Sequence, residues 1–253
     1  MKRLSKFLVA CLAIIPCAFT FTACGNQLTA QASVNIEGNY ETATSDDFKK
    51  FAEDNKDVKS FVDGVRMTTI TKMTINGKEY ESVTNSIATI KNGKLTGLAI
   101  LMETPAIDDE PATTTTIYYK DSTMYGKIVS GEKEETYQTE LDIDTVAETY
   151  MAGMETDVLD EVLTLISEIT TVEKATSGKT TKWHIQSGKA EDEEFLDYYI
   201  ICKEGVVTGC QMTMKMSIMS ISTETVLIME EFSGSIKYPK DLADYSTELP
   251  SLF

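Results

Sequence analysis

The chain has one histidine, one tryptophan, five prolines and five cysteines in 253 residues. A lone histidine, His184, leaves no His and Cys spacing from which a zinc site is built. A Ser/His/Asp or Cys/His device would have to assemble around it from distant parts of the chain. A lone tryptophan, Trp183, argues against an aromatic-rich sugar cleft, and forty acids pair by accident too often to mark a glycosidase. Positive charge is also scarce: 23 Lys and Arg stand against 40 Asp and Glu, for a net charge of −17. That balance opposes nucleic-acid binding, which draws its affinity from cations on phosphate. No cofactor or metal motif is present. Asp142-Ile143-Asp144 opens like a calcium loop, but Ala147 stands where glycine is required and no acid closes the loop. Helix capping by Asp144 is the better account of it. The composition implies a protein that is not an enzyme, with no cofactor and no metal.

What the chain does have begins at its N-terminus. Lys2, Arg3 and Lys6 precede an uncharged run from Phe7 to Phe21, and Ala23-Cys24-Gly25 follows. This is the build of a secretory signal peptide. The run is shorter than the ~20 apolar residues a spanning helix needs. A cysteine after a small residue marks a bacterial lipoprotein signal, with Cys24 as the residue that receives diacylglycerol. Cys11 has too little apolar chain before it, and Cys17 follows Pro16. On this reading residues 1–23 are removed, and residues 24–36 form the lipidated cysteine and a polar tether. Residues 37–245 form one domain, and 246–253 an irregular tail. The mature chain, anchored at Cys24 to the extracytoplasmic side of the cell membrane, would carry a charge of about −20. A plain signal peptide remains the alternative.

Two further cysteines, Cys202 and Cys210, flank a turn centred on Glu204-Gly205. With that register Cys202 faces Val206 or Val207, and Cys210 lies ~13 Å away along the strand, beyond bridging distance. Free, inward-facing thiols are expected, although the compartment permits a disulfide.

Period-two alternation dominates elsewhere. Strands are expected over 65–75, 78–90 and 95–103, joined by the type I′ turn signals Asn76-Gly77 and Asn92-Gly93. Another hairpin turns at Asp121-Ser122. Strands return at 170–175, 180–186, 195–202, 206–218 and 226–238. The acidic clusters, Glu132 to Glu135 among them, read as solvated loops. Helical spacing occurs from Thr44 to Asn55, near Val146 to Met151, and from Val158 to Ile169. Helix then meander, twice, fits either an internal duplication or one large sheet. With no residue match between the halves, a single sheet is preferred. The class is α+β: a large curved antiparallel sheet, half-barrel-like, with two or three helices on its concave face.

This order of elements, closing at Ile236-Lys237-Tyr238-Pro239-Lys240-Asp241-Leu242, resembles the LolA/LppX-type bacterial lipoproteins. The resemblance spans about residues 37–245 and contains no diagnostic motif, so no residue role comes with it. It implies an open half-barrel holding lipid or acyl chains in an apolar cavity. The strand with Met212, Met214, Met216 and Ile218 on one face is the candidate lining, because unbranched methionine adapts to occupants of variable shape. The same face fits ordinary core beneath the helix. Two functions follow: a carrier of lipid or another apolar ligand, or an interaction module with a filled core that contacts protein or cell wall. His184, alternating with Trp183 and Ile185, is expected to be exposed.

Overall fold

The computed structural model describes residues 27–55, 60–92, 94–108, 110–150, 158–165, 168–189, 192, 194–218 and 221–248. Twelve strands form one antiparallel sheet: β1 (Glu41–Thr42), β2 (Gly64–Ile75), β3 (Lys78–Lys91), β4 (Lys94–Thr104), β5 (Thr113–Lys120), β6 (Thr123–Ser130), β7 (Lys133–Glu140), β8 (Thr171–Ser177), β9 (Thr180–Ser187), β10 (Glu194–Lys203), β11 (Val206–Ile218) and β12 (Ile221–Glu231). Among the described residues three α-helices accompany them: α1 (Ser45–Asn55), α2 (Ile143–Tyr150) and α3 (Val158–Leu165).

Strand order is β1-β8-β9-β10-β11-β12-β2-β3-β4-β5-β6-β7. Two meanders, each built by neighbours in sequence, therefore meet at one seam between β12 and β2. There Met229 faces Met67 and Val226 faces Ile70 across an antiparallel pair. The single sheet expected from the sequence is present, and this open, curved sheet with short helices is an α+β, half-barrel-like fold.

Local chemistry explains the turns. Asn76 and Gly77 both adopt positive φ (52° and 77°), as a type I′ turn demands, and the strands that flank them are in register from Ile75–Lys78 onward. Asp121 and Ser122 do the same at 52° and 61°. At Glu204-Gly205 the register sets Cys202 opposite Val207 and Cys210 opposite Ile200. Neither forms a disulfide and both side chains are buried, as expected.

Helix α1 starts where the sequence places it. The Thr44 hydroxyl accepts from the Asp47 backbone N–H at 3.1 Å, and the Asp47 carboxylate accepts from the Thr44 N–H at 2.9 Å. This reciprocal capping satisfies two of the helix's otherwise unpaired donors. At α2 the cap is Asp142, whose carboxylate accepts from the N–H groups of Asp144 and Thr145, both at 3.1 Å. The cap thus lies two residues before the Asp144 expected.

Each sheet face has its own cover. On one, Phe48 and Ala52 of α1, Val146 of α2, and Val158, Leu159 and Val162 of α3 join the inward residues of both meanders in one apolar cluster. Phe48 and Phe51 each lie 5.3 Å, ring centre to ring centre, from Trp183 of β9. On the other face Ile87, Ala99, Leu101 and Tyr118 are covered by Phe232, Ile236, Leu242 and Tyr245 of the C-terminal segment and by Leu28.

Several expectations are corrected here. The strand expected to run to Tyr238 stops at Glu231, and residues 236–239 are irregular chain laid over the outer face, so they do not close the sheet as a strand. A tyrosine explains the anchorage: the Tyr238 hydroxyl donates to the Tyr119 carbonyl at 3.1 Å. The acidic cluster at 132–135 is not only loop; Lys133–Glu140 forms the edge strand β7. Its charges suit an edge, where they discourage pairing with another chain. Residues 27–36, polar in sequence and placed in the tether, also lie against the outer face. Leu28 and Ala32 are buried, the Ala32 N–H donates to Thr68 Oγ1 at 2.7 Å, and the Ser33 N–H donates to Glu230 at 3.2 Å.

Candidate functional site

The methionine stripe of β11 points into the layer between sheet and helices. Cys210, Met212 and Met214 are buried there, at 0, 1 and 5 % exposure, and Met216 packs half-buried at the margin of the same cluster. Their partners on β11 alternate outward as the pleat requires. Ile218 pairs with Ile221 at the end of the β11–β12 hairpin, but its side chain lies outside the described residues, as does Cys24.

The fold enlarges this stripe beyond anything one strand reveals. Met67 of β2, Met102 of β4, Met124 of β6 and Met229 of β12 join Met212, Met214 and Met216 in or against the cluster. Seven methionines among the described residues thus occupy one layer. Each of Met67, Met102 and Met124 looks unremarkable in its own strand. Only the strand order places them in the same layer as the β11 stripe.

The outer face carries a polar cluster that the sequence does not announce. His184 is 9 % exposed, against the expectation of an exposed side chain. Its ring stacks on Tyr199 at 4.2 Å and meets the edge of Tyr40 at 5.8 Å. Its Nδ1 lies 2.8 Å from Glu173 Oε2 and its Nε2 2.6 Å from Asp197 Oδ1. A neutral imidazole donates from one nitrogen only, so carboxylates at both nitrogens select the doubly protonated ring. Burial by itself opposes that charge. The hydrogen bonds to Asp197 and Glu173 outweigh it, and the His184 pKa rises above its ordinary 6.5. Nearby, burial first and then Tyr199, Glu173 and Asp197 push the Tyr40 phenol up to about 12. The signal was the period of two, which puts Glu173, His184 and Asp197 on one face. Their direct apposition depends on the register of β8, β9 and β10.

Because the folded pKa is raised, the stabilisation from this imidazolium is complete below the unfolded value near 6.5 and is lost as pH rises through the folded value. The ring signals of the only histidine should titrate with a midpoint above 6.5 by NMR. The melting temperature should fall across that window in the wild type, relative to a His184→Gln variant. A midpoint at or below 6.5 would mean the two carboxylates do not hold the charge.

Beside this cluster Ser33, Asn35, Lys182, Ile201, Gly209 and Glu230 line a cleft of about 540 Å³. Residues 33–35 form one wall, and a Cβ placed on Gly209 would stand 2.6 Å from Val34. The missing side chain at 209 is what seats this segment. Lys182 holds it further on, donating to the Glu37 carbonyl at 2.5 Å. No group of three His, Cys, Asp or Glu side chains able to hold a metal occurs among the described residues. None of their helices is long and apolar enough to cross a membrane.

No family model matches this chain, and no curated protein matches it. Among solved structures it is similar to LprF from Mycobacterium bovis, at 8 % identity and a TM-score of 0.39, over 77 % of this chain and 96 % of LprF. The chain is also similar to a DUF1329 family protein from Desulfovibrio piger, at 10 % identity and a TM-score of 0.23, over 79 % of this chain and 97 % of that one.

Proposed function

We propose that this protein is an extracytoplasmic lipoprotein, anchored to the membrane through Cys24, that holds a lipid or other apolar ligand between its sheet and its helices. The observation that carries the reading is the gathering of seven methionines in that layer. Aliphatic branched side chains fill a fixed core better; methionine, with three rotatable bonds and a polarizable sulfur, re-packs around occupants of differing shape. The three described helices are 8 to 11 residues long, a cover short enough to shift without unravelling the sheet.

A second reading is favoured by the burial of Met212 and Met214: a filled core, with the acidic exterior as an interaction surface. One experiment separates the two. The domain from residue 25 onward, purified without its anchor, is expected to retain an apolar adduct in native mass spectrometry. Met216→Lys, at the half-buried margin between Glu194 and Thr223, should remove the adduct and keep the unfolding transition. Absence of any adduct across lipid extracts would favour the filled core. The anchor has its own test: Cys24→Ala should leave the protein without diacylglycerol, and acylation persisting in that variant would refute the assignment.

A further inference from the structure

We propose that the layer between sheet and helices holds an amphiphile with an uncharged, oxygen-bearing head, and that a band of hydroxyls on β2, β3 and β12 receives that head. This rests on the ligand-holding reading above and adds to it the chemistry of the ligand and the seat of its head. The inward face of the sheet is not uniformly apolar. Val65 and Met67 of β2, Ala88 of β3, and Leu227 and Met229 of β12 belong to the apolar cluster or pack against it. Alternation puts Thr69 and Thr71, Thr84 and Ser86, and Thr225 on the same side of the sheet as these residues. The ladders bring the hydroxyls together. Thr69 faces Thr84 across β2 and β3, and Thr71 faces Thr225 across the seam. Methionines border the band, with Met67 opposite Ser86, Met102 opposite Thr84 and Met214 opposite Thr225.

The second ground is a hydroxyl without a partner. Ser86 is 2 % exposed, and its Oγ has no hydrogen-bond partner among the described residues. A buried polar group left unpaired lowers stability. Threonine is at home in strands, so the threonines alone would carry no argument. The Trp183 Nε1 is also unpaired, but it comes with a large apolar ring packed by Phe48 and Phe51, which accounts for its presence. Serine brings almost no apolar area, and alanine, as at Ala88 two residues on, would pack in the same layer without that cost. A hydroxyl both donates and accepts, so the band matches ester, carbonyl and hydroxyl oxygens. The residues opposite it, Met67, Met102, Met214 and Leu227, bring no charge. An ionised head would be buried there without a counter-ion, which selects against it.

The test offers the full chain, in detergent, three single-chain probes: monoolein, oleate and 1-octadecene. Gel filtration, solvent extraction and quantification then give each probe per mole of protein. Micelles take up a probe alike in every preparation, so each variant is compared with the wild type. The wild type should retain monoolein above the other two. Ser86→Ala should lower monoolein retention by roughly threefold to tenfold, the worth of one hydrogen bond, and leave octadecene unchanged. Ser86→Thr keeps the hydroxyl and should keep the preference. Without probe, the urea midpoint of Ser86→Ala should equal or exceed that of the wild type, because an unpaired group has been removed. A lower midpoint would mean that the hydroxyl is already bonded in the folded protein, and would overturn the proposal. Unchanged monoolein retention in Ser86→Ala, equal loss of all three probes, or oleate held above monoolein would overturn it too. Octadecene retained with no preference for monoolein refutes the head site alone; no retention of any probe refutes the ligand-holding reading and this one with it.

Discussion

Met214→Lys is expected to destabilise the domain by about 3–5 kcal/mol, the cost of burying a charge without a counter-ion. Met214 is 5 % exposed, and its neighbours across the ladder are Leu196 on β10 and Thr225 on β12, both buried and both uncharged. Against the ~5–15 kcal/mol that holds a domain together, such a loss moves the urea midpoint far down or abolishes the transition. Met214→Leu is the control, because it conserves volume and should cost less than about 1.5 kcal/mol. The result that would sink the expectation is a Lys variant with the wild-type midpoint. In that case the ammonium reaches water, and the apolar layer above β11 is open to solvent at Met214.

Gly126→Ala is expected to cost about 2–3 kcal/mol through overpacking. Gly126 on β6 stands directly opposite Tyr137 on β7, and the Tyr137 ring lies over it. A Cβ at 126 would approach the Tyr137 ring to 2.1 Å, so the buried ring must leave its seat. For a domain of this size the melting temperature should fall by roughly 5–10 °C. The conflict lies between two named side chains, so a double-mutant cycle tests the cause. Gly126→Ala combined with Tyr137→Ala should cost clearly less than the sum of the two single changes. Strict additivity would place the damage elsewhere. Gly97→Ala provides a contrast, since its nearest neighbour is the hydroxyl end of Tyr238, which yields more easily.

Much of the candidate site was legible before the fold. The alternation over Cys210, Met212, Met214 and Met216 assigned them to one face, and that face is the one beneath the helices. The rest of the methionine layer was hidden because Met67, Met102 and Met124 lie on the other meander, which meets that of β11 only at the β12–β2 seam. The His184 cluster was hidden for a related reason. Alternation turns His184 away from Trp183, but an outward side chain is exposed only if nothing covers it. Tyr40 and Tyr199 cover it, and Tyr40 reaches it only because β1 pairs with β8. The edge strand β7 was missed because Lys133, Glu134 and Glu135 left its start without an apolar face to read.

The sequence by itself determined whatever depends on neighbours along the chain. Asn-Gly and Glu-Gly pairs set the hairpin turns, since few other residues tolerate two successive positive φ angles. The turn at Glu204-Gly205 in turn set the register that keeps Cys202 and Cys210 apart. Thr44 and Asp47 fixed the start of α1 three residues apart. Only the tertiary structure decided which strands far apart in the chain would pair, and what would cover each face. The β12–β2 seam joins segments about 160 residues apart, and no local propensity specifies such a partner. Residues 27–36 and 232–248 have too little alternation to be read as structure, yet they cover the outer face because Ile87, Ala99, Leu101 and Tyr118 would otherwise stand in water. Their positions follow from the shape of the finished sheet, a property that exists only once the sheet has formed.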